Sequence, residues 1–418
     1  MLYFVNTENK KPIKSWCEYV EDSAMEQANN LANLPFLFKW LVLAPDCHMG
    51  YGMPIGGIAA LDGVVSPGIV GFDIGCGMGA IKTSLKASNI SKQQLRDIIN
   101  LQKNKIPVGM NHHSPSSKQF EENIDYFSLN NIFNHNYFPY DKYEIYYDIF
   151  GKNNFDSLIE YFAENLGTLG GGNHFSTIEH DENDNIWLMI HSGSRNIGYK
   201  IANYYHKIAL KLNEKWYSNI PNKDLAFLPA DSEEGKNYIK DMNFALKFAE
   251  ENRKIIMNSF KDSIKEVIED VTFEDEINIH HNFASLENHY GKNVWVHRKG
   301  ATSAKKDQLG IIPGSMGTSS YIVKGLGNPE SFMSCSHGAG RVMGRKQASN
   351  NLTREDCEKS MQGIVYDGFK KLKDRKGKKY LDLGEAPLAY KDIDKVIKSE
   401  SDLVTPIVKL SPLAVIKG

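Results

Sequence analysis

The chain has 418 residues, and 49 Lys and Arg against 51 Asp and Glu give it a formal net charge of −2. Hydrophobic residues make up 41% and charged residues 24%, which supplies enough apolar side chains for a core and argues against disorder as the main state. No run of about 18 apolar residues occurs, which excludes a membrane-spanning helix. The near-neutral charge excludes a polycationic tail, although a local basic face would still suffice for nucleic acid.

The N-terminal residues lack the basic start and the apolar stretch of a secretory signal. The cysteines are few, odd in number and widely spread, which argues against a disulfide framework and favours a reducing compartment such as the cytoplasm. A functional thiol in such a chain is more often a metal ligand or a nucleophile than half of a disulfide. The cysteines are Cys17, Cys47, Cys76, Cys335 and Cys357.

Predicted helices and short strands follow one another along the chain without a regular β-α-β order. Ser91 and Gln94 resemble a capping box, which predicts a helix over 91–102. Apolar stripes predict further helices over 201–216 and 238–271. Apolar runs rich in β-branched and aromatic residues predict strands over 186–190, 277–281 and 294–298. This mixture favours an α+β fold over a doubly wound parallel sheet.

Glycine is unevenly distributed, and ten of the 34 glycines fall between Gly50 and Gly79. Further clusters lie within 167–172 and 310–344. Dense glycine outside a linker marks tight turns or a close approach to a ligand, so these segments are predicted to be loops at the ends of buried strands. The polar stretch 111–123 is the best surface insertion, and no domain boundary is visible.

Asp73 and Cys76 lie three residues apart in one of these glycine-rich turns, GFDIGCGMGA. A carboxylate and a thiolate at this spacing can reach one metal ion. The same turn would equally well hold a buried cysteine and a capping aspartate, so the motif alone leaves both interpretations open.

Four histidines stand in comparable surroundings. His174 follows three glycines, His191 ends an apolar strand, His281 is the second of two adjacent histidines, and His337 precedes Gly338. Small neighbours leave the His337 imidazole open and let a phosphate approach the backbone, which suits a nucleophile as well as a metal ligand. Each histidine taken alone would also fit a hydrogen-bonded turn.

Together these six side chains are spread from Asp73 to His337, which is typical of a catalytic site built from distant loops rather than of a structural zinc site. Oxygen, sulfur and nitrogen donors do not by themselves select between zinc and manganese. A thiolate can bridge two ions, and two ions about 3.5–4 Å apart clamp phosphoryl oxygens well. No GxxxxGK[ST] loop and no KxDG lysine motif occurs, so a covalent nucleotide would need another nucleophile.

Several long motifs resemble those of the RtcB family of RNA ligases, and the resemblance runs from near the start of the chain to Gly418. They include PDCHMGYGMPIGG, GFDIGCGMGA, GTLGGGNHF, HSGSRNIG, HHNFA, IIPGSMGTSSYIVKGLGNPESF, SCSHGAGRVMGR and EAPLAYKDID.

The resemblance implies a single large α+β domain over 1–418, with mixed and antiparallel sheets and peripheral helices. It implies an RNA ligase that depends on GTP and Mn²⁺, with two ions, and that joins a 3′-phosphate or 2′,3′-cyclic phosphate end to a 5′-hydroxyl end through a histidine–GMP intermediate. The partners implied are RNA fragments, from transfer or ribosomal RNA in splicing or repair. Whether an activating helper protein takes part is left open.

Residues carried over by position fall into two sets. The implied metal ligands are Asp73, Cys76, His174, His191 and His281, with Cys76 bridging two ions, and His337 is the implied site of guanylylation. The implied nucleotide contacts are Asn173, His174, Phe175, Thr177, His281, Asn282, Pro313, Gly314, Ser315, Met316, Ser320, His337, Gly338, Ala339, Gly340 and Lys417. Candidates for charges that face RNA or phosphate, with ordinary surface solvation as the alternative, are Arg195, Arg298, Lys299, Arg341 and Arg345.

One position departs from the family pattern. The family usually has Glu four residues after the Asn of GNHF, where it contacts the guanine edge, and this chain has Thr177 there. Glu179 is nearby, but a shift of two residues along a strand is about 6–7 Å. A guanine edge without its carboxylate would lose roughly 1.5–3 kcal/mol, so guanine specificity is less secure than the chemistry.

Two other functions are compatible with the same residues. A metal-dependent RNA phosphoesterase would use His337 as an acid or a ligand and form no nucleotide adduct. A non-catalytic subunit of an RNA-repair complex would keep the fold alone, although the intact set of ligand residues argues against it.

Overall fold

The computed structural model describes residues 1–6, 8–129, 143–373, 377 and 379–418. Within them the strands are β1 (Leu2–Phe4), β2 (Ile13–Ser15), β3 (Leu37–Tyr51), β4 (Met53–Leu61), β5 (Val64–Val65), β6 (Gly77–Lys86), β7 (Phe175–Asp181), β8 (Asn185–Ser192), β9 (Leu228–Pro229), β10 (Ile277–His280), β11 (Asn282–His289), β12 (Lys292–Lys299), β13 (Ala301–Ser303), β14 (Leu309–Ile312), β15 (Ser320–Gly325), β16 (Ser334–Ser336), β17 (Lys371–Lys373), β18 (Lys379–Leu381) and β19 (Val404–Lys417).

The α-helices of the same residues are short, apart from α7 and α8. They are α1 (Asp22–Ala32), α2 (Pro67–Val70), α3 (Lys92–Lys105), α4 (Lys118–Leu129), α5 (Tyr143–Phe150), α6 (Phe155–Asn165), α7 (Ile197–Lys215), α8 (Glu233–Lys265), α9 (Arg345–Asn351), α10 (Arg354–Lys359) and α11 (Ile393–Ser399). None of the helices in the described part of the chain combines the length and the apolar character that a membrane crossing requires.

Two large sheets organise the molecule. One has the strand order β1-β2-β3-β4-β12-β11, and the other has the order β10-β6-β8-β7-β19-β15-β14. Every strand pair in the second sheet is antiparallel, whereas β2 and β3 pair in parallel in the first. Helices pack outside these sheets, so the predicted α+β class with mixed and antiparallel sheets is confirmed.

The core lies between the helices and the sheets. The apolar stripe of α8 buries Ile256, Met257 and Phe260 in a cluster with side chains of α3 and the seven-stranded sheet. Helices α4 to α7 surround the first half of α8 and share a second apolar cluster with it. The α8 helix therefore lies against the sheet that carries several of the predicted ligand residues.

The predicted elements are present, with shifted ends. The capping box forms at the start of α3, where Ser91 Oγ accepts the Gln94 backbone N–H at 3.2 Å. The helix predicted over 201–216 begins earlier, as α7, and the helix predicted over 238–271 is α8, which ends at Lys265. The three predicted strands correspond to β8, β10 and β12.

The polar stretch 111–123 is a loop followed by the first turns of α4. Three of its side chains, His113, Phe120 and Asn123, are buried. Asn123 donates hydrogen bonds to the backbone oxygens of Ala163 and Leu166 at 2.8 and 2.9 Å. The stretch therefore packs one side against α6 and its C-terminal end, while the boundaries of the predicted domain stay a prediction.

Candidate metal centre and adjoining pocket

The predicted ligand residues converge at one end of the seven-stranded sheet. Cys76 immediately precedes β6, His174 immediately precedes β7, His191 lies near the end of β8, and His281 separates β10 from β11. These strands are neighbours, because Gly77 of β6 pairs with both His280 of β10 and Ser192 of β8. The sheet register therefore assembles side chains that are far apart in the chain.

The ligand atoms lie close enough to share cations. Cys76 Sγ lies 3.2 Å from His191 Nε2 and 3.4 Å from His174 Nε2. His191 Nε2 lies 3.4 Å from His281 Nε2, and His174 Nε2 lies 3.4 Å from an Asp73 carboxylate oxygen. Two groups result, each with its ligand atoms within 4.8 Å of one another: Cys76, His191 and His281, and Asp73, Cys76 and His174.

The surroundings of the imidazoles fit a metal site. His174 Nδ1–H donates to the Leu169 backbone oxygen at 2.9 Å, and His191 Nδ1–H donates to the Asn173 backbone oxygen at 3.1 Å. These bonds leave both Nε2 lone pairs directed at the Cys76 thiol, which is how protein histidines are usually oriented toward a metal. Cys76 belongs to both groups, so its sulfur is the ligand atom that the two groups would share.

Burial sets the protonation of the ligands. It lowers the pKa of His191 and of His281 well below the ordinary value, and the neighbouring imidazoles of His174 and His337 add to the effect. Burial and the Asp73 carboxylate raise the pKa of the Cys76 thiol well above its ordinary value. The two histidines therefore offer neutral lone pairs, whereas a cation would have to displace the thiol proton.

His337 lies beside this cluster. It follows β16, and its ring centroid is 4.8 Å from that of His281. Its Nδ1–H donates to Asp46 Oδ2 at 2.6 Å, and its backbone N–H donates to the same oxygen at 3.1 Å. Asp46 is fully buried, so one carboxylate oxygen holds His337 by both its ring and its backbone, and the ring bond engages Nδ1 rather than Nε2.

Asp46 was not predicted from the sequence. It lies in the motif PDCHMG, in which the histidine rather than the aspartate draws attention. The only signal was a carboxylate next to a glycine-rich segment, which is weak by itself. His48 of the same motif lines the pocket described next, with its pKa lowered to about 4 by burial.

A pocket with a volume of about 150 Å³, open to solvent on one side, adjoins His337. Most of the predicted nucleotide contacts line it, together with residues that were not predicted for that role: His48, Ile55, His191, Arg341, Arg345 and Tyr390. The predicted residues in its lining are Asn173, Phe175, Pro313, Gly314, Ser315, Met316, His337, Gly338, Ala339, Gly340 and Lys417.

Five predicted nucleotide contacts lie outside that lining. Two of them, His174 and His281, belong to the groups of ligand atoms described above, and the other three are Thr177, Ser320 and Asn282. Thr177 is buried and donates its hydroxyl to the Ala414 backbone oxygen at 2.9 Å. Ser320 donates to Glu179 Oε1 at 3.2 Å, and burial raises the pKa of Glu179 to about 8. The Asn282 amide donates to the Asp73 backbone oxygen at 3.0 Å and accepts a backbone N–H from residue 300 at 2.8 Å.

Two of the basic residues predicted to face RNA do not face solvent. Arg298 is fully buried and pairs with Glu287, with Nη1 2.6 Å from Oε1, so the expectation that it faces RNA is wrong. Lys299 is also buried, and its ammonium donates to the backbone oxygens of Tyr51 and Gly68. Burial lowers the pKa of Lys299 to about 7, which leaves little fixed charge for a phosphate.

The other predicted cations lie near the site. Arg195 is partly buried, and its Nε donates to Thr168 Oγ1 at 2.8 Å. Arg341, Arg345 and Lys417 surround one carboxylate, that of Glu385, at 3.2, 2.6 and 3.1 Å. Three cations around one carboxylate leave an excess of positive charge at the pocket, as an anionic ligand requires.

Comparisons with known proteins agree with this arrangement. The family model described as "tRNA-splicing ligase RtcB" matches residues 27–418. The RNA-splicing ligase RtcB of Escherichia coli strain K12 is 36% identical over 433 residues, which covers 100% of both chains. The tRNA-splicing ligase RtcB of Pyrobaculum aerophilum is 31% identical, with 98% of this chain and 95% of that protein covered. The tRNA-splicing ligase RtcB of Methanococcus maripaludis is 32% identical, with 96% and 92% covered. The chain therefore belongs to the RtcB family.

Proposed function

We propose that the chain is an RNA ligase that joins 3′-phosphate or 2′,3′-cyclic phosphate ends to 5′-hydroxyl ends through a histidine–GMP intermediate. The observation that carries the proposal is one oriented imidazole, His337, between a cluster of metal-ligand residues and a pocket with excess positive charge. Membership of a family whose relatives are named as RNA-splicing and tRNA-splicing ligases supports the same function.

His337 is the proposed nucleophile. Its Nδ1–H is engaged by Asp46, so the Nε2 lone pair is available to form a bond with the α-phosphorus of GTP. The bond from that phosphorus to the bridging oxygen breaks, and pyrophosphate leaves with the electron pair. The Asp46 carboxylate stabilises the positive charge that the imidazole acquires, as a buried aspartate does for other catalytic histidines.

Asp73, Cys76, His174, His191 and His281 are the residues that would hold two Mn²⁺ ions, with the Cys76 thiolate shared. Bound divalent cations would supply Lewis-acid stabilisation of charge on phosphoryl oxygens. Manganese is proposed from the family, since the donor atoms alone also suit zinc.

The pocket is proposed to bind the nucleotide, and its cations are proposed to bind phosphate. In the second step, an oxygen of the RNA 3′-phosphate forms a bond to the phosphorus of GMP, and the bond from phosphorus to His337 Nε2 breaks. The 5′-hydroxyl oxygen of the second RNA then attacks the activated 3′-phosphate and GMP leaves. A cyclic phosphate is first opened by water: the water oxygen bonds to phosphorus, the bond from phosphorus to the 2′-oxygen breaks, and that oxygen takes up a proton, which leaves a 3′-phosphate. Arg341, Arg345 and Lys417 are placed to neutralise these anions.

The proposed substrates are cytoplasmic fragments of transfer or ribosomal RNA, which present the same ends in splicing and in repair. A ligation assay with defined RNA ends identifies the accepted termini, and repeating it with each of the four nucleoside triphosphates tests whether Thr177 changes nucleotide choice. Adding cell extract to a purified reaction tests for an activating helper protein.

The central experiment incubates purified protein with Mn²⁺ and α-labelled GTP. We expect a labelled protein that is labile in acid and stable in base, and that is lost in His337→Ala. The matched control is His112→Ala, which removes an exposed histidine from the loop before α4. An adduct that survives His337→Ala contradicts the proposal, and RNA cleavage without pyrophosphate release would instead favour a phosphoesterase.

A further inference from the structure

One buried arginine contacts three of the segments that carry the ligand cluster. Arg253 lies on α8 and is fully buried. Its Nη1 donates to the backbone oxygens of Gly75 and Ser192, at 2.8 and 3.1 Å. Its Nη2 lies 3.0 Å from His280 Nδ1, which accepts the bond.

Each of these three partners is next to a predicted ligand in the chain. Gly75 precedes Cys76, Ser192 follows His191, and His280 precedes His281. The group Cys76, His191 and His281 is one of the two sets that could hold a cation. A single guanidinium therefore holds the residue next to each member of that set: the backbone of Gly75 just before β6, the backbone of Ser192 at the end of β8 and the side chain of His280 at the end of β10.

The guanidinium is itself held in place. Arg253 Nε donates to Asn278 Oδ1 at 2.7 Å, and Asn278 Nδ2 donates to the Glu250 backbone oxygen, one turn earlier on α8, at 3.2 Å. Gly77 makes room for the guanidinium, since a Cβ there would lie 3.0 Å from the arginine's terminal carbon and 2.0 Å from the Ile279 backbone oxygen. The planar fork of arginine spans several acceptors at once, which an ammonium on a flexible stem does not.

We infer that Arg253 is a positioning residue for the metal centre: it locks the three strand ends so that Cys76, His191 and His281 present their donor atoms to one cation. This inference rests on the proposed function, because it needs the cluster to bind metal. Groups that orient ligands from outside the coordination sphere typically change metal affinity by about 10- to 100-fold when they are mutated.

The test is a titration of the metal-free protein with Co²⁺, followed by absorbance. Coordination by Cys76 gives a thiolate-to-cobalt band in the near ultraviolet, and the visible bands report the geometry of the ligands. Arg253→Lys keeps the charge but cannot span the same acceptors, and we expect its Co²⁺ affinity to fall by about 10- to 100-fold with altered visible bands. Asn278→Ala removes the Nε contact and the bond to the Glu250 backbone but leaves the Nη1 and Nη2 contacts of Arg253, and we expect a smaller loss in the same direction.

The matched control is Arg298→Lys, a change to a second fully buried arginine, whose hydrogen bonds go to Glu287, Ser285, Ser334 and the Phe332 backbone. It should lower the unfolding temperature in chelator and leave the cobalt spectrum unchanged. Far-ultraviolet circular dichroism in chelator shows whether each variant folds. If Arg253→Lys does not fold, Asn278→Ala still tests the inference.

Two results overturn the inference by itself: wild-type affinity and spectrum in the folded Arg253→Lys and Asn278→Ala variants, or the same spectral change in Arg298→Lys. Failure of the proposed function is distinguishable from these outcomes. In that case the wild-type protein itself shows no thiolate-to-cobalt band, or shows one that survives Cys76→Ser. Either result contradicts the proposed metal centre and, with it, the role of Arg253.

Discussion

Asp46→Asn removes one negative charge from beneath the proposed nucleophile while keeping the size of the side chain. Oδ2 accepts two N–H groups from His337, and the Nδ1 bond is 2.6 Å long. Oδ1 has no hydrogen-bond partner among the described residues. The asparagine can offer its oxygen to His337 only by placing its NH₂ group in that buried, unpartnered position.

The expected size of the effect follows from these contacts. A hydrogen bond to a charged group contributes about 1.5–3 kcal/mol. The charge stabilises an imidazole that becomes positive only as the bond to phosphorus forms. Its removal should therefore raise the activation free energy of adduct formation. At about 1.4 kcal/mol for each factor of ten, adduct formation should slow by about 10- to 150-fold.

The assay is single-turnover formation of the labelled adduct at saturating GTP and Mn²⁺. The control is Asp62→Asn, the same change at an exposed carboxylate that pairs with Lys292 at the surface. Cobalt binding should stay normal in both variants, since the described side-chain contacts of Asp46 go to His337 rather than to the ligand residues. A wild-type rate of adduct formation in Asp46→Asn would refute the role assigned to this carboxylate.

Three further predictions test the site and its surroundings. Cys76→Ser should abolish the thiolate-to-cobalt band and lower Co²⁺ affinity at least about tenfold, measured by absorbance; an unchanged band would show that another thiol binds the metal. Burial raises the pKa of Glu179 from 4.5 to about 8, so between these values the unfolded chain releases a proton that the folded chain keeps, and stability falls as pH rises by about 1.4 kcal/mol per unit. Glu179→Gln should remove that contribution to the pH dependence of the unfolding free energy, measured by urea unfolding at several values between pH 5 and 8. The same pH dependence in both proteins would contradict the prediction. Affinity for single-stranded RNA should fall less steeply with salt in Arg345→Ala: the plot of log affinity against log salt should lose about 0.7 from the magnitude of its negative slope. The surface change Arg354→Ala should leave that slope unchanged.

Local features of the fold were predictable because they depend on neighbours in the chain. The capping box at Ser91 and Gln94 forms as the spacing predicts, since side chain and backbone N–H are three residues apart. The start of α7 was missed because Gly198 looked like part of a loop. In the structure Ser194 Oγ accepts the Gly198 N–H at 3.0 Å, and glycine is needed because a Cβ would lie 2.8 Å from the Ile74 side chain.

The basic residues show where sequence reasoning fails. A run of charges such as Arg298 and Lys299 suggests a surface, because isolated charges are rarely buried. Arg298 is buried because Glu287, on the antiparallel neighbour β11, supplies its counter-charge. That pairing depends on strand register, which the spacing of charges in the sequence does not reveal.

The amino-acid sequence by itself determined the kinds of donor atom and the loops that expose them: a carboxylate and a thiol in one glycine turn, and four histidines with small or polar neighbours. Only the tertiary structure decided which of them lie close together. It also added Asp46 and Arg253, whose hydrogen-bond partners lie in distant segments of the chain. The physical reason is that hydrogen bonds between distant segments depend on sheet register and burial, and both arise from packing of the whole chain rather than from local spacing.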